Sequence, residues 1–104
     1  MAAANPNGPY LAKKLTASGV VTTAGVGGYL KAFGMTVTTN ASEMEVVDGT
    51  ASGTVLVDHH MEAATAKAGF SSGDIGPIRF DTDIYVVLTG TGAEGWVVYA
   101  EDSE

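Results

Sequence analysis

The last third of the chain contains two runs of β-branched and aromatic residues on either side of a glycine-rich connector. The runs are Ile84–Thr89 and Trp96–Ala100, and the connector, residues 90–95, reads GTGAEG. Valine, isoleucine and the large aromatic residues favour strands, and glycines in a short connector can adopt positive φ. This segment therefore predicts a β-hairpin formed by the two runs.

Alternation of apolar and polar residues predicts more strands upstream. The strongest is Tyr29–Thr39, in which Phe33, Met35 and Val37 share one side. The other expected strands are Glu43–Val47, Thr54–Met61, Ile78–Phe80 and a weak one near Gly19–Thr23, with turns at residues 40–42, 48–53 and 81–83. Short strands at such close intervals are typical of an antiparallel sandwich or a small barrel.

Helical propensity is confined to one short segment, Glu62–Ala68, with Gly69 as its expected C-cap and residues 70–76 as a loop. A segment this short is compatible with one or two helical turns or with a plain loop. A βαβ architecture needs helices of about ten or more residues between its strands, and the pattern offers none. We expect an all-β fold, either a small antiparallel β-sandwich or a jelly-roll-like barrel, with an extended N-terminal arm.

The N-terminal segment has a different composition from the rest of the chain. Residues 1–9 are small and polar, and Pro6 and Pro9 cannot donate ladder hydrogen bonds. We expect residues 1–10 to form an arm, residues 11–104 a single β-sandwich domain, and residues 101–104 an acidic tail. Because ordering each residue costs about 1–2 kcal/mol of backbone entropy, we expect an ordered arm to lie against another subunit.

The same alternation assigns residues to the core. The residues expected to supply most of it are Phe33, Val37, Val55, Val57, Phe80, Ile84, Val86, Leu88, Trp96 and Val98. With Trp96 and Val98 inside, Val97 and Tyr99 form an apolar outer face together with Tyr85 and Val87 of the preceding run. A sheet that is apolar on both faces is normally covered on both faces. Two interpretations follow: these residues belong to the core of a curled sheet, or this outer face meets another subunit.

Composition and charge exclude several classes of partner. The net charge is −7, and no basic cluster exceeds the pair Lys13-Lys14, so nucleic acid is not an expected partner. No stretch approaches the roughly 18 apolar residues of a membrane span, and the N-terminus lacks the charged start and apolar core of a secretory signal. Charged residues make up only 16% of the chain, against roughly 25% in typical globular domains. A chain so poor in charge is compatible with a surface that is partly covered by a partner.

One cluster invites a metal hypothesis. On a strand, Asp58 and His60 point to the same face, Glu62 continues that face, and His59 points to the opposite one. Two carboxylates and one imidazole would form a mixed and weak ligand set. The favoured interpretation is that one histidine is solvated and the other packs at a sheet edge, so we expect no metal site.

Two other motifs resemble calcium-binding or dinucleotide-binding motifs only superficially. Asp81 and Asp83, with Asp74 nearby, lack the twelve-residue spacing of a calcium loop, and an acidic turn whose Asp side chain bonds the backbone is the favoured interpretation. The connector at residues 90–95 matches G-x-G-x-x-G, but a strand follows it where a dinucleotide site needs a helix. No serine lies in a G-x-S-x-G elbow. We expect no catalytic, cofactor-binding or metal-binding residues, no cofactor and no enzyme activity.

The order of several turn and strand motifs resembles small structural proteins of tailed bacteriophages. The motifs that carry this resemblance are Asp48-Gly49, Gly53–Leu56, Gly76–Phe80, Ile84–Val86 and Leu88–Ala100. They span about residues 43–100, while the first 28 residues match no pattern of the group.

The resemblance implies a β-sandwich virion component. A capsid decoration (cement) protein on the outer surface of the phage head is the leading expectation, with the major capsid protein as partner and a trimer or dimer as the oligomeric state. The alternative is a head spike or tail adsorption module that binds host-surface carbohydrate through exposed aromatic residues such as Tyr10, Tyr29 or Tyr99. The pattern of these phage proteins contains no catalytic residues to carry over.

Overall fold

The structure, a computed structural model, describes residues 4–5, 9–50, 52–64 and 66–102. The described residues form nine strands and no helix. The strands are β1 (Leu11–Leu15), β2 (Gly19–Val20), β3 (Gly28–Val37), β4 (Ser42–Asp48), β5 (Thr54–Met61), β6 (Ala68–Ser71), β7 (Ile78–Phe80), β8 (Ile84–Thr89) and β9 (Glu94–Glu101). Most of the predicted arm (residues 1–3 and 6–8), position 65 of the predicted helical segment and the end of the predicted tail (residues 103–104) lie outside the described residues.

The strands form two antiparallel sheets, which confirms the all-β sandwich prediction. The five-stranded sheet has the order β1-β9-β3-β6, with β7 pairing the same edge of β3 as β6. The four-stranded sheet has the order β2-β8-β4-β5. Every strand pair is antiparallel. No helix among the described residues has the length and apolar character needed to cross a membrane.

The core lies between the two sheets because each contributes one apolar face. The residues that form this buried cluster are Leu15, Val21, Leu30, Phe33, Met35, Val37, Met44, Val46, Phe80, Ile84, Val86, Val97 and Tyr99. The predicted inward side of β3, with Phe33, Met35 and Val37, is confirmed. A register shift at Lys31 also turns Leu30 inward, so that β3 buries Leu30 and Phe33 on the same side.

The predicted C-terminal hairpin is wrong. Both of its strands exist, but β8 pairs with β2 and β4, whereas β9 pairs with β1 and β3. The connector therefore carries the chain from one sheet to the other, with Gly90 and Gly92 at positive φ. Glycines with positive φ serve a crossing between sheets as well as a tight hairpin, so the composition of the connector did not identify the strand partners.

The segment after β5 also differs from the prediction. Residues 62–64 and 66–67 form no helix, and the chain re-enters a sheet as β6, where a C-cap and a loop were expected. Strand β6 pairs with the end of β3, with Phe70 opposite Met35. Strand β1 was not predicted, and four of its five residues are exposed. An edge strand that buries so little leaves almost no apolar alternation in the sequence.

The predicted inner face of β9 is inverted. Val97 is fully buried and Tyr99 nearly so, whereas Trp96 and Val98 lie half-buried on the outer face. Trp96 is paired with Gly34 and lies so close over it that a Cβ at position 34 would collide with the indole. An aromatic side chain on the outer face of a sheet can pack over a glycine of the neighbouring strand, because the glycine has no side chain to displace it.

The remaining core predictions divide in the same way. Phe80, Ile84 and Val86 are fully buried, as expected. Val57 and Leu88 are partly buried against the core. Val55, however, is 47% exposed. A register shift between Val46 and Val47 puts Val55 opposite Val47 on the outer face, which corrects its assignment to the core.

Candidate functional site

The outer face of the four-stranded sheet carries an apolar row that crosses all four strands. The register pairs Val20 with Tyr85, Tyr85 with Val47, and Val47 with Val55. Val20 and Val55 are 46% and 47% exposed at the two ends, and they belong to the few large apolar side chains exposed among the described residues. We name these four residues the apolar row. The sequence predicted an apolar outer face at Tyr99, Val97, Tyr85 and Val87, and of these only Tyr85 belongs to the row.

Polar residues occupy the other end of the same face. The register pairs Glu43 with His60 and Glu45 with Asp58 across β4 and β5. The His60 Nε2 atom lies 3.2 Å from a Glu43 carboxylate oxygen and 3.4 Å from an Asp58 carboxylate oxygen. One ligand atom from each of these three residues lies within 4.8 Å of the other two. We name Glu43, Asp58 and His60 the carboxylate–imidazole triad.

The electrostatics of the triad are those of two facing carboxylates. Hydrogen bonding with the Asp58 side chain is the main cause that raises the pKa of Glu43. Desolvation and the negative charges of Asp58 and Glu45 act in the same direction, while His60 opposes them. The two carboxylates therefore come together at an energetic cost that the imidazole only partly offsets.

The structure brings together only part of the set considered from sequence. Asp58 and His60 do share a face, but Glu43 of the neighbouring strand is the third member of the triad. Glu62 instead lines an adjoining cavity of about 480 Å³ together with Glu43 and His60. The sequence could not indicate Glu43 because its proximity depends on the register between β4 and β5.

The second histidine has a packing role. The ring of His59 stacks on Phe70 with centroids 3.7 Å apart, and Phe33 meets its edge at 6.4 Å. These contacts join β5 of one sheet to β3 and β6 of the other. His60 is exposed, and its neighbour packs at the edge of the sandwich, as the sequence interpretation expected.

The acidic turn at residues 81–83 forms a reciprocal clamp with the end of β4. The Asp48 carboxylate accepts hydrogen bonds from the backbone N–H groups of Asp81, Thr82 and Asp83. The Asp83 carboxylate accepts them in return from Gly49 and Thr50. The expectation that an Asp side chain of this turn bonds backbone is confirmed. The N–H groups that Asp83 binds, however, lie in the turn after β4 and not in its own turn. We name Asp48 and Asp83 the aspartate clamp.

A second cavity, of about 250 Å³, borders Trp96 on the outer face of the five-stranded sheet. Lys14, Lys67 and Glu94 line it with the indole, and both lysines form ion pairs with Glu94, at 3.4 and 3.1 Å. The hydrogen bond from Lys67 is the main cause that lowers the pKa of Glu94. An aromatic ring bordered by charged groups is a surface that can bind a polar ligand such as a sugar.

The three tyrosines named from the sequence differ in exposure, because Tyr10 and Tyr29 are half-buried and Tyr99 is buried. Tyr99 is only 9% exposed and belongs to the core, so its assignment to an exposed site is wrong. Lys31 lies 5.4 Å from the ring centroid of Tyr10, and Arg79 lies 5.3 Å from that of Tyr29. Cations within about 6 Å of a ring face interact favourably with it. Trp96, which borders the second cavity, joins Tyr10 and Tyr29 as an aromatic residue of a candidate sugar site.

The described part of the arm contacts its own domain. The backbone N–H of Ala4 donates a hydrogen bond of 2.8 Å to the carboxylate of Asp102, and Arg79 binds that carboxylate through two hydrogen bonds of 2.8 and 2.7 Å. The guanidinium is the main cause that lowers the pKa of Asp102 to about 2. Ala4 is therefore held by a contact within its own chain, whereas the sequence predicted that an ordered arm would lie against another subunit. Asp102 is thereby held on the domain and Glu101 is the last residue of β9, where an acidic tail had been predicted.

No protein-family model, curated protein or solved structure matches the chain.

Proposed function

We propose that this protein is a structural virion protein that decorates the outer surface of a tailed-phage head and binds the major capsid protein. The observation that carries the proposal is the apolar row, which crosses all four strands at one end of the outer face and leaves Val20 and Val55 half-exposed. In this proposal the contact surface is the accessible part of the row, mainly Val20 and Val55, because Val47 between them is only 1% exposed. The turn and strand motifs at residues 43–100 supply the phage context.

The negative charge beside the apolar row favours a partner with basic residues at the matching positions. Glu45 and Asp58 lie beside the row on the same face, and the whole chain carries a net charge of −7. Two copies that met through this face would bring like charges together. A capsid surface that surrounds an apolar patch with basic residues is the complementary partner, and its binding weakens as salt rises.

Stabilisation of the shell would follow from mass action. A protein that binds only the assembled lattice lowers the free energy of that state and leaves free capsid subunits unchanged. Such a role requires a rigid surface and no chemistry. A dimer or trimer would raise the effective concentration of each contact on the shell.

Co-sedimentation with capsids tests the proposal. Capsids assembled from the major capsid protein of the same genome are mixed with the wild-type chain, with Val55→Lys or with Val20→Lys. We expect each lysine variant to weaken binding by about tenfold or more, since it places a cation against a basic partner. Lysine at exposed edge positions is compatible with folding, which circular dichroism checks.

Leu11→Lys is the matched control, because Leu11 is an equally apolar and 62% exposed residue on β1 of the other sheet. It should bind capsids like the wild type. Absence of wild-type co-sedimentation would overturn the proposal, and equal losses in all three variants would remove the apolar row from it. Light scattering coupled to size exclusion determines whether the free protein is a dimer or a trimer.

The second candidate, a spike or adsorption module that binds host-surface carbohydrate, is favoured by the cavity beside Trp96. Trp96 is the single tryptophan of the chain, so its fluorescence reports on this cavity alone. Saturable quenching by host-surface polysaccharide, lost in Lys67→Ala, would favour this function. Unchanged fluorescence together with capsid binding would favour the decoration protein.

A further inference from the structure

We propose that the carboxylate–imidazole triad is a binding site for a divalent transition-metal ion such as Zn²⁺ or Mn²⁺. The inference is independent of capsid binding, because it depends only on the register between β4 and β5 and on three side chains of one sheet face. It differs from the sequence-based expectation of no metal ligands, because Glu43 approaches Asp58 and His60 only in the folded sheet.

The two distances from His60 to the carboxylates match the edges of a coordination polyhedron, and the two carboxylate oxygens lie within 4.8 Å of each other. Zinc binds histidine nitrogen and carboxylate oxygen at roughly 2.0–2.2 Å in tetrahedral geometry, which separates neighbouring ligand atoms by roughly 3.3–3.6 Å. His60 Nε2 lies 3.2 Å from the Glu43 oxygen and 3.4 Å from the Asp58 oxygen. An ion can therefore bind all three atoms with small side-chain movements.

The register holds the ligands in place without help from a loop. Glu43 and His60 are opposite each other on paired strands, and Asp58 lies two residues from His60 on the same face. Side chains opposite each other or two apart along a strand lie close together on one face of a sheet. Ligands on strands keep their positions better than ligands on loops.

The local charge favours a cation. The carboxylates of Glu43 and Asp58 face each other, with Glu45 nearby, and among the described residues no lysine or arginine forms an ion pair with any of the three. A divalent ion converts this repulsion into attraction. His60 must then be neutral, so that its Nε2 lone pair is available for coordination.

The surroundings leave space for the rest of the coordination shell. The cavity of about 480 Å³ opens beside Glu43 and His60, and Glu62 and Thr89 also line it. Water or the Glu62 carboxylate can supply a fourth ligand there. One nitrogen and two or three oxygens suit Zn²⁺ and Mn²⁺, whereas Ca²⁺ prefers a larger set made only of oxygens.

A bound ion would stabilise the pairing of the edge strand β5 with β4. Among the described residues β5 is paired only on its β4 side, and the triad joins these two strands beyond the register shift at Val46 and Val47. A metal that binds only the folded arrangement stabilises it in proportion to its saturation. The site would thus support the edge of the sheet that also carries Val55.

Isothermal titration calorimetry of the full chain with ZnCl₂, and separately with MnCl₂ or CaCl₂, tests the proposal. We expect saturable binding of one Zn²⁺ or Mn²⁺ ion per chain with a Kd below about 1 mM, and much weaker binding of Ca²⁺. Glu43→Gln and His60→Ala should each weaken binding by about tenfold or more. Asp74→Asn, which removes a carboxylate paired with Lys31 elsewhere, is the matched control and should bind like the wild type.

NMR of the histidine side chains identifies the ligand directly. On addition of Zn²⁺ the imidazole resonances of His60 should shift, and those of His59, stacked on Phe70, should stay in place. Absence of saturable binding up to about 1 mM would overturn the site, as would binding that Glu43→Gln and His60→Ala leave unchanged. A shift of His59 alone would also overturn it. Each variant is accepted only if its circular dichroism spectrum matches the wild type, and Glu43→Gln, which keeps the side-chain shape, remains informative if His60→Ala unfolds.

Discussion

The two ends of β4 carry carboxylates in opposite circumstances. Asp48, at the C-terminal end, belongs to the aspartate clamp, in which backbone N–H groups of the neighbouring turn satisfy its oxygens. Glu43, near the N-terminal end, faces the Asp58 carboxylate and an imidazole. The negative charge of Asp48 is satisfied by hydrogen bonds within the fold, whereas the repulsion between Glu43 and Asp58 is offset only in part by His60. The difference shows that the donors around an acidic side chain, and not its occurrence in the sequence, separate a structural carboxylate from one available to a ligand.

Removal of the clamp should have the largest effect. Asp48→Ala deletes an acceptor shared by the N–H groups of Asp81, Thr82 and Asp83. Because hydrogen bonds to a charged group contribute about 1.5–3 kcal/mol and water can reach part of this turn, we expect a loss of about 3 kcal/mol. Chemical denaturation measures it. Asp81→Ala, at a highly exposed side chain, is the control and should change stability by about 0.5 kcal/mol or less. Equal effects of both variants would contradict the structural role of the clamp.

Asp102 extends the comparison to a carboxylate paired with a guanidinium. Its pKa is lowered from 3.8 to about 2 by Arg79, with the N–H of Ala4 as a second cause. Since the folded-state pKa is the lower one, the stabilisation is complete above 3.8 and is lost as the pH falls towards about 2. Asp102→Asn should therefore be less stable than the wild type at neutral pH, and the difference should shrink between about pH 4 and about pH 2. Melting temperatures across this range measure it, and a constant difference would contradict the pairing.

Glu43→Gln should have the smallest effect, with the opposite sign to the clamp variant. In metal-free buffer with a chelator, the substitution removes one of two facing negative charges while it keeps the side-chain shape. We expect the melting temperature at neutral pH to stay unchanged or to rise. A clear decrease would show that Glu43 is a structural carboxylate like Asp48, and the contrast between the two ends of β4 would fail.

The local pattern of the sequence predicted the type of most elements. The alternation in β3, β4, β5 and β8 was visible because each strand buries one face, and apolar side chains on that face recur at every second position. The strand run of β9 was likewise predicted, although its inner face was inverted. The weak segments were β1, which is almost fully exposed, and β6, where small residues gave no alternation.

In the candidate site, too, local spacing predicted some contacts and only the tertiary structure brought the others together. Asp58 and His60 share a face because they are two residues apart on a strand, and the sequence is sufficient for that inference. Glu43 joins them only through the register of β4 with β5, and the clamp forms only because the turn at residues 81–83 lies beside the end of β4. Contacts between residues distant in sequence have no local signal.

The sequence by itself determined that this chain forms strands, and many of the positions where the chain turns, because alternation and glycine content act over a few residues. Only the tertiary structure decided which strands pair. The connector at residues 90–95 carries β9 into the opposite sheet, and the inner face of β9 is the one that meets Leu30 and Phe33 of β3. Trp96 could have packed on either face by its own preference. It lies outside because β9 pairs with β3 in the register that puts Val97 opposite Phe33 and leaves the indole over Gly34, where no Cβ stands in its way.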